Sequence, residues 1–322
     1  MYIGNTELKL GLILAPMAGF SDRAMRVLCH NHGAEYTVTE MISAKAVTFG
    51  DKKTLSLAKI CADEGAVALQ LFGSEPDTMA RAAEIMSGGV SGFTPPVAID
   101  INMGCPVKKV FCNGEGSALM RDPELIYGIV RKTVGSTDLP ITVKLRLGID
   151  AQSINAIECA LAAEAAGATA IALHGRTRAE FYSGRANRES IADVKKHLQI
   201  PLIANGDVTS AEEALDMIRV TGADAIMIGR GAVGNPFVFG EISAALEGRS
   251  YTPPTIDERV ECALEELRLA IEDKGERAAV MALRGRIAMY IRSFAGAAQI
   301  RAEVNGSTTY GEVAAALSRA IS

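Results

Sequence analysis

Eight short apolar segments, separated by stretches with helical periodicity, constrain the fold of this 322-residue chain more than any other feature. The segments are 12–15, 36–39, 67–71, 98–101, 141–145, 170–173, 202–204 and 225–228. Their hydrophobicity is continuous instead of alternating, which is typical of parallel strands covered on both faces. Eight strand and helix units in about 240 residues predict an α/β fold, a (β/α)8 TIM barrel. An open doubly wound sheet is the alternative, but no GxGxxG follows the first segment.

The helical stretches between these segments have recognisable ends. Serine and aspartate cap helix N-termini, and glycine commonly follows a helix C-terminus. On this basis four helices are predicted to run from Ser21 to Gly33, from Asp122 to Gly135, from Ser153 to Gly167 and from Ser210 to Gly222.

The composition changes after the eighth segment. GRSYTPPTIDE, at 248–258, is typical of a linker, and the pattern beyond it is helical. We therefore predict a barrel domain over 1–245 and a small all-α domain over 246–322. Within the latter, Arg277, Arg284 and Arg292 are spaced seven and eight apart, which predicts one basic helix face. A solvated surface without a partner is the alternative interpretation.

Bulk properties exclude several classes of protein. The formal net charge is -5, and no apolar run approaches the roughly 18 residues of a membrane span. No leader of the secretory kind is recognisable, so we expect a soluble, cytoplasmic protein with no membrane contact. The six cysteines are scattered, with no CxxC and no cluster at zinc spacing, which predicts free thiols and no metal.

Glycines and polar residues follow most of the apolar segments. The segment ends read APMAG, TEM, LQLFG, INMGCP, KLRLG, LHGRTR, ANGD and IGRG. In a barrel these ends converge on one mouth. We therefore expect one cavity to be faced by Gln70, Asn102, Cys105, Lys144, Arg146, His174, Asn205, Asp207 and Arg230.

The last two loops indicate what this cavity holds. The loops after strands seven and eight are the usual phosphate site of the barrel, and Arg230 would supply positive charge there. With Lys144 and Gln70 as further donors and an apolar APMA floor, the pattern suits FMN. Sugar phosphates use similar loops and remain an alternative at this point.

The chain resembles the tRNA-dihydrouridine synthase family, in particular its bacterial B-type branch. The resemblance runs over nearly the whole length, through APMAGFSD, TEM, QLFG, DINMGCPVKKV, GSAL, VKLRLG, HGRTR, ANGD and IGRGAVGNP. It implies flavin-dependent reduction of specific uridines in tRNA to 5,6-dihydrouridine, with NADPH or NADH as the reductant. We expect a monomer whose C-terminal helices grip tRNA.

The resemblance also implies roles for individual residues. FMN contacts are implied for Pro16, Met17, Ala18, Gln70, Lys144, His174, Asn205, Gly206, Asp207, Gly229 and Arg230. Substrate contacts are implied for Asn102, Arg146, Arg178 and Tyr182 around the base, and for Arg284 and Arg292 on the C-terminal helices. Cys105 is implied as the donor of the proton to C5, while reduced FMN gives a hydride to C6.

The residue types suit this chemistry. A thiol with an unperturbed pKa of about 8.5 is mostly protonated at pH 7, which suits a general acid. A cationic Lys144 would stabilise negative charge on a reduced flavin. Arg146, two residues along the same strand, should point to the same side of the sheet.

The C-terminal segment departs from the family pattern. Arg286 stands where histidine is common, Met289 where tryptophan is common and Ser293 where glycine is common, and GEGSAL replaces GAGSAL. Arginine keeps the positive charge of a protonated histidine, so we expect phosphate binding at Arg286 to survive.

Two alternative functions are compatible with parts of the pattern. One is a dihydroorotate-dehydrogenase-like flavoprotein acting on a free pyrimidine, which would not need the arginine-rich helices. The other is a non-catalytic RNA-binding protein, against which the combination of Cys105, Lys144 and His174 argues.

Overall fold

Eight parallel strands close into a barrel in the computed structural model, which describes residues 1–292 and 296–321. The strands of the chain are β1 (Tyr2–Ile3), β2 (Thr6–Glu7), β3 (Leu12–Leu14), β4 (Tyr36–Val38), β5 (Ile42–Ser43), β6 (Ala66–Phe72), β7 (Ala98–Asn102), β8 (Ile141–Arg146), β9 (Ala170–His174), β10 (Leu202–Asn205) and β11 (Ala225–Ile228). All eight predicted segments form barrel strands, and the predicted TIM barrel is confirmed.

The barrel closes between β4 and β6, which pair in parallel, and β11 returns beside β3. The short strand β5 adds a second pairing on β6, while β1 and β2 form a separate antiparallel pair. The continuous apolar composition of the barrel strands follows from this closure, because each strand packs inward on the barrel interior and outward on helices.

Helices surround the barrel and continue beyond it. The helices of the barrel region are α1 (Arg23–Asn31), α2 (Ala44–Thr48), α3 (Lys52–Leu57), α4 (Pro76–Ser87), α5 (Lys108–Cys112), α6 (Pro123–Val134), α7 (Ala156–Ala165), α8 (Arg188–His197), α9 (Ala211–Thr221) and α10 (Val238–Leu246). The C-terminal helices are α11 (Ile256–Lys274), α12 (Glu276–Ile287), α13 (Ala297–Gly306) and α14 (Tyr310–Ser318). Their presence after the barrel confirms the predicted all-α C-terminal part, whereas the division at residue 245 stays a prediction.

Two of the four predicted N-caps are confirmed and two are wrong. The Asp122 side chain accepts from Leu125 N, and Ser210 accepts from Glu213 N. Ser21 does not cap α1, because its hydroxyl accepts from Met17 N at 2.9 Å and Asp22 takes the cap. Ser153 instead donates to Asp150 Oδ1 at 2.8 Å inside the preceding loop, and α7 starts at Ala156.

Helix α1 belongs to two hydrophobic cores. Met25 and Cys29 pack into the core between the barrel strands and their helices. Ala24, Val27 and Leu28 pack with the C-terminal helices instead. The C-terminal helices therefore lie directly on the first helix of the barrel.

A buried ion network fastens this contact. Arg286 on α12 is only 4% exposed; its guanidinium donates to Asp22 Oδ1 at 3.1 Å and lies 2.7 Å from Glu266 Oε1. It also donates to Phe20 O at 2.5 Å, in the loop between β3 and α1. The expectation that Arg286 binds phosphate is wrong, because two buried carboxylates already neutralise it.

The predicted basic helix face is also wrong in part. Arg277 and Arg284 lie on α12, but that helix ends at Ile287, so Arg292 lies beyond it in a turn. Met289 packs partly buried against the barrel core, and Ser293 lies outside the described residues. As predicted, all six cysteines are free thiols. Within the described ranges, every helix is too short or too polar to span a bilayer.

Candidate active site

The carboxyl ends of the barrel strands bring the predicted polar residues together. The strand register pairs Asn102 with Lys144, Arg146 with His174, and His174 with Asn205. These residues come from four adjacent strands, and each stands at or near the end of its strand. The structure therefore places them at one mouth, as the loop pattern predicted.

Lys144 is the half-buried cation of this mouth. Its Nζ donates to Asn205 Oδ1 at 3.0 Å, and Asn205 Nδ2 donates to Met227 O at 2.7 Å. Burial, with a smaller contribution from the nearby Arg146, lowers the pKa of Lys144 to about 8. Its hydrogen-bond partner is a neutral amide, and Asp100 attracts it only at longer range, so the lysine can still pair with an anionic group.

His174 stands next to Lys144 in the barrel and is neutral. Burial and the surrounding cations hold its pKa well below its usual range. Arg176 NH1 lies 3.3 Å from His174 Nε2, and an arginine N–H can only donate. The Nε2 atom must therefore accept, so Nδ1 carries the proton.

Arg176 is a fully buried cation that joins the loop after β9 to the loop after β10. It is 1% exposed, and it donates to Asp207 Oδ2 at 2.6 Å, to Ser183 O at 2.9 Å and to Gly184 O at 2.7 Å. Although burial alone would raise it, the pKa of Asp207 is lowered by the hydrogen bonds from Arg176 and Ala186 N. Asp207 is thus an ionised anchor for two loops.

The loops after β10 and β11 approach each other closely. A Cβ on Gly231 would lie 2.2 Å from Val208 O, and one on Gly206 would lie 2.5 Å from the Ala186 Cβ. Gly206 also has a φ of 135°, which favours glycine. Small residues are therefore required at Gly206, which contacts Ala186 on the loop after β9, and at Gly231, which contacts the loop after β10. The region between these two glycines is called the cradle.

Arg230 borders that cradle and is 55% exposed at its side chain. It donates to Asp207 Oδ1 at 3.2 Å and lies 4.6 Å from the centre of the Tyr182 ring. Tyr182 is itself exposed and packs edge-on against Phe181 at 4.8 Å. A partly exposed guanidinium and an exposed aromatic ring therefore lie side by side at the rim of the mouth.

Cys105 lies on the loop between β7 and α5, with its thiol half-buried. Its backbone N–H donates to Asn102 Oδ1 at 2.9 Å, and its carbonyl accepts from Ser117 Oγ at 2.8 Å. A Cβ on Gly116 would lie 2.9 Å from the Cys105 Cβ, so only glycine leaves room there. Burial raises the pKa of the Cys105 thiol, against a smaller lowering by Val107 N–H and Arg146.

A buried hydrogen-bonded chain runs beneath the Cys105 loop. Asn102 Nδ2 donates to Gln70 Oε1 at 2.8 Å, and Gln70 Nε2 donates to Asp100 Oδ2 at 2.6 Å. Thr142 Oγ1 donates to Asp100 Oδ1 at 2.6 Å. Burial raises the pKa of Asp100 from its usual value, against lowering by these two donors.

Arg146 ties the Cys105 loop to the loop after β9. Its Nε donates to Gly104 O, and its NH1 donates to Thr177 O and Phe181 O, each at 2.9 Å. The side chain is 3% exposed, and burial lowers its pKa to about 10. The remaining terminal nitrogen can still serve a ligand, because a guanidinium has five N–H groups.

Arg178 lies on the outer side of the same loop. Its guanidinium lies 3.8 Å from the centre of the Phe111 ring on α5, and Arg121 lies 4.4 Å from the same centre. Two cations thus stack on one phenyl ring immediately after the Cys105 loop.

The loop after β3 supplies the apolar side of the mouth. Pro16 and Met17 are half-buried and Ala18 is exposed. A Cβ on Gly229 would lie 3.5 Å from Met17 Sδ, so this loop contacts the loop after β11. By contrast, Arg284 and Arg292 belong to the C-terminal helical region and do not lie on the barrel loops.

The loop pattern did not identify two buried charged residues, Asp100 beneath the mouth and Arg176 beside it. A carboxylate inside the apolar strand AIDIN indicates a buried partner for Asp100. Nothing in HGRTR distinguishes Arg176 from the polar residues that flank it. Both are more than nine-tenths buried.

The chain is similar in sequence to known proteins. A sequence model described as "Dihydrouridine synthase (Dus)" matches residues 13–322. A probable tRNA-dihydrouridine synthase of Rickettsia conorii is 38% identical over 305 residues, covering 94% of this chain and 91% of that protein. The tRNA-dihydrouridine synthase B of Shewanella oneidensis is 38% identical over 314 residues, covering 97% of this chain and 95% of that protein.

Solved structures show the same fold at low identity. Histamine dehydrogenase from Rhizobium sp. 4-9 aligns with a TM-score of 0.58 and 15% identity, covering 84% of this chain and 50% of that chain. An old yellow enzyme homologue from Zymomonas mobilis aligns with a TM-score of 0.52 and 14% identity, covering 80% and 94%. These similarities support the barrel and nothing finer.

Proposed function

The chain belongs to the dihydrouridine synthase family, and we propose on this premise that it reduces uridines of tRNA to 5,6-dihydrouridine with a bound flavin. One observation carries the proposal most directly. A thiol whose pKa is raised, that of Cys105, stands at the rim of a mouth that contains the cation Lys144. A proton donor and a site for an electron-rich cofactor are what a reduction of uracil requires.

The residues of the mouth fit FMN. The cradle between Gly206 and Gly231, with Arg230 at its border, suits a phosphate, and Pro16, Met17 and Ala18 offer an apolar side. The polar groups for the ring system would come from the set Gln70, Lys144, His174, Asn205, Asp207 and Gly229. When bound, the reduced flavin supplies the hydride that uracil accepts at C6, and NADPH or NADH replenishes it.

Cys105 supplies the proton for C5. Its raised pKa keeps the thiol neutral at pH 7, so the S–H group is available to donate. The hydride and this proton together add two hydrogens across the C5–C6 double bond. The thiolate left behind is stabilised by the nearby charge of Arg146 and regains a proton from solvent, since the residue is half-buried.

The surroundings of Cys105 suit an RNA base more than a free pyrimidine. Tyr182 and Phe181 present exposed aromatic surface at the rim, on which an extruded base can stack. Asn102 and Arg146 end the strands β7 and β8 beneath this surface, with Arg146 donating to Phe181 O, and Arg178 lies on the loop after β9 that carries the two rings. Arg284 on α12 and Arg292 in the turn beyond it would contact the rest of the tRNA.

The test uses purified protein and unmodified tRNA. We expect Cys105→Ala to retain its fold and flavin absorbance but to lose dihydrouridine formation by roughly 10²–10⁴-fold, the usual contribution of a general acid. Reduction of the flavin by NADPH or NADH should continue at the same rate, because hydride entry does not use this proton.

Cys112→Ala is the matched control, because this exposed thiol lies on the same segment seven residues further on. It should leave turnover unchanged. Full activity of Cys105→Ala, or loss of flavin reduction in that variant, would contradict the assignment of Cys105 as the acid.

A further inference from the structure

Asp100 lies on β7, two residues before the strand ends at Asn102 and the loop that carries Cys105 begins, and it is 2% exposed. It does not border the open mouth, yet it ends the hydrogen-bonded chain that runs through Gln70 and Asn102 to the Cys105 backbone. We propose that Asp100 is a positioning residue for the Cys105 thiol, acting through the fixed polarity of this chain. The inference rests on the proposed role of Cys105 and adds a residue to which no role has been assigned.

The Cys105 end of the chain allows one amide orientation. Asn102 faces the backbone N–H groups of Gly104 at 3.2 Å and Cys105 at 2.9 Å, and both groups can only donate. Asn102 must therefore present its oxygen to the loop and its amide nitrogen to Gln70. Gln70 must in turn accept with its oxygen.

The Asp100 end enforces the same direction. Both oxygens of Asp100 accept hydrogen bonds, from Gln70 Nε2 and from Thr142 Oγ1, so Gln70 turns its amide nitrogen toward Asp100. The oxygen of Gln70 is then left facing Asn102. Because the chain ends in donors at one side and in an acceptor at the other, a reversal of either amide would bring two donors or two acceptors together.

The backbone N–H groups of the Cys105 loop depend on this chain for their hydrogen-bond acceptor. The carbonyl side is held independently, by Ser117 at the Cys105 carbonyl and by Arg146 at the Gly104 carbonyl. The N–H groups of Gly104 and Cys105 instead bond to Asn102 Oδ1. Loss of the acceptor at Asp100 frees Gln70 and then Asn102 to rotate, which loosens the loop and exposes the thiol.

The test compares two substitutions at Asp100. Asp100→Asn keeps an acceptor for Gln70 and turns its amide to Thr142, whose hydroxyl can accept as well as donate, so the polarity survives. Asp100→Leu removes the acceptor. The readout is the alkylation rate of Cys105 by iodoacetamide at fixed pH, followed by mass spectrometry of the Cys105 peptide, with the exposed Cys112 as an internal reference.

We expect Asp100→Leu to alkylate Cys105 about tenfold faster or more, because both exposure and the thiolate fraction rise. Asp100→Asn should stay within about twofold of the unmodified protein, and Cys112 should react equally in all three. In turnover, kcat should fall in Asp100→Leu while KM for tRNA stays the same, and Asp100→Asn should restore kcat. An unchanged Cys105 rate in folded Asp100→Leu would overturn the proposal.

If the melting curve of Asp100→Leu shows that this variant does not fold, a second variant tests the proposal. Gln70→Met breaks the same chain one residue nearer Cys105 with little change in volume, and it should accelerate Cys105 alkylation in the same way. An unchanged rate there overturns the proposal as well. Failure of the unmodified protein to act on tRNA would count against the proposed function instead, because the alkylation comparison needs no RNA.

Discussion

Two buried charged networks in this molecule are built in opposite ways. In the network between α1 and the C-terminal helices, Arg286 is neutralised by Asp22 and Glu266, and the Tyr290 hydroxyl donates to Glu266 Oε2 at 2.7 Å. In the barrel mouth, Lys144 bonds to the neutral amide of Asn205. Because Lys274 also pairs with Asp22, the first network is charge-balanced by ion pairs in contact. Lys144 has no carboxylate in contact and is attracted only at longer range by Asp100.

The difference separates a structural role from a functional one. Buried ions are tolerated when partners compensate for the lost hydration, so the Arg286 network holds two parts of the chain together. A buried cation with no carboxylate in contact has a lowered pKa and weakens the fold until an anion binds. Burial of charge alone therefore does not identify a site, whereas incomplete compensation does.

Removing Arg286 should produce the larger effect on stability. Arg286→Met keeps the length of the side chain but leaves the buried carboxylates of Asp22 and Glu266 without their shared partner. We expect the free energy of unfolding to fall by about 3–5 kcal/mol, as is usual when one member of a buried ion pair is lost. Denaturant unfolding measures this, with Arg284→Met on the same helix as a control that should change stability by less than about 1 kcal/mol.

Arg284 and Arg292 are less buried than Arg286 and can be compared with it directly. The double variant Arg284→Glu and Arg292→Glu should weaken tRNA binding and reduce the salt dependence of its affinity by up to about two phosphate contacts. Flavin content should not change. Arg131→Glu is the control, since the last turn of α6 lies at the opposite end of the barrel from the mouth. Equal tRNA binding by the double variant and the control at low and high salt would argue against this contact.

In the mouth, removing a cation should cost little stability. Lys144→Met loses one hydrogen bond but also removes a poorly compensated charge, so flavin-free protein should change its free energy of unfolding by less than about 1 kcal/mol. Flavin retention should fall, as measured by the ratio of flavin to protein absorbance after gel filtration. A loss of stability as large as that of Arg286→Met would erase the distinction between the two networks.

The pH dependence gives the smallest and most specific effect. The pKa of Lys144 is lowered from 10.5 to about 8 in the folded protein, so the unfolded chain binds more protons between these values. Between pH 8 and 9.5 this lysine therefore adds stability to the flavin-free protein as pH rises, and it opposes the loss caused by buried cysteines such as Cys105 and Cys159, whose pKa values are raised. Melting curves of Lys144→Met should lack this gain, and identical slopes for the two proteins would show that the lysine is not responsible.

The fold was predictable because its strongest pattern is local. Each barrel strand is a continuous apolar run followed by glycine or polar residues, and both features survive in any context. The wrong predictions concern the ends of helices. Ser21 and Asp22 are both capping residues, and only the contact of Ser21 with Met17 decides between them. The end of α12 at Ile287 has no glycine or proline to mark it before Gly296.

The site was predictable only as a set of residues at one mouth. Strand ends identify Lys144, His174 and Asn205, because the barrel brings all such ends together. What each side chain bonds to depends on partners distant in sequence, as Arg286 and Asp22 show across 264 positions. The same limit applies to Asp100, whose two donors come from strands on either side of it.

The position of α1 between two cores also bears on how the protein is made. Its inward face can pack as soon as the barrel strands exist, but Ala24, Val27 and Leu28 belong to a core whose other buried residues lie between positions 260 and 320. A chain emerging from the ribosome therefore carries this apolar face uncovered until its last residues are synthesised. Asp22 and the Phe20 carbonyl must likewise wait for Arg286. The loop after β3, which borders the mouth, is therefore synthesised early but gains its hydrogen bonds from Arg286 only near the end of synthesis.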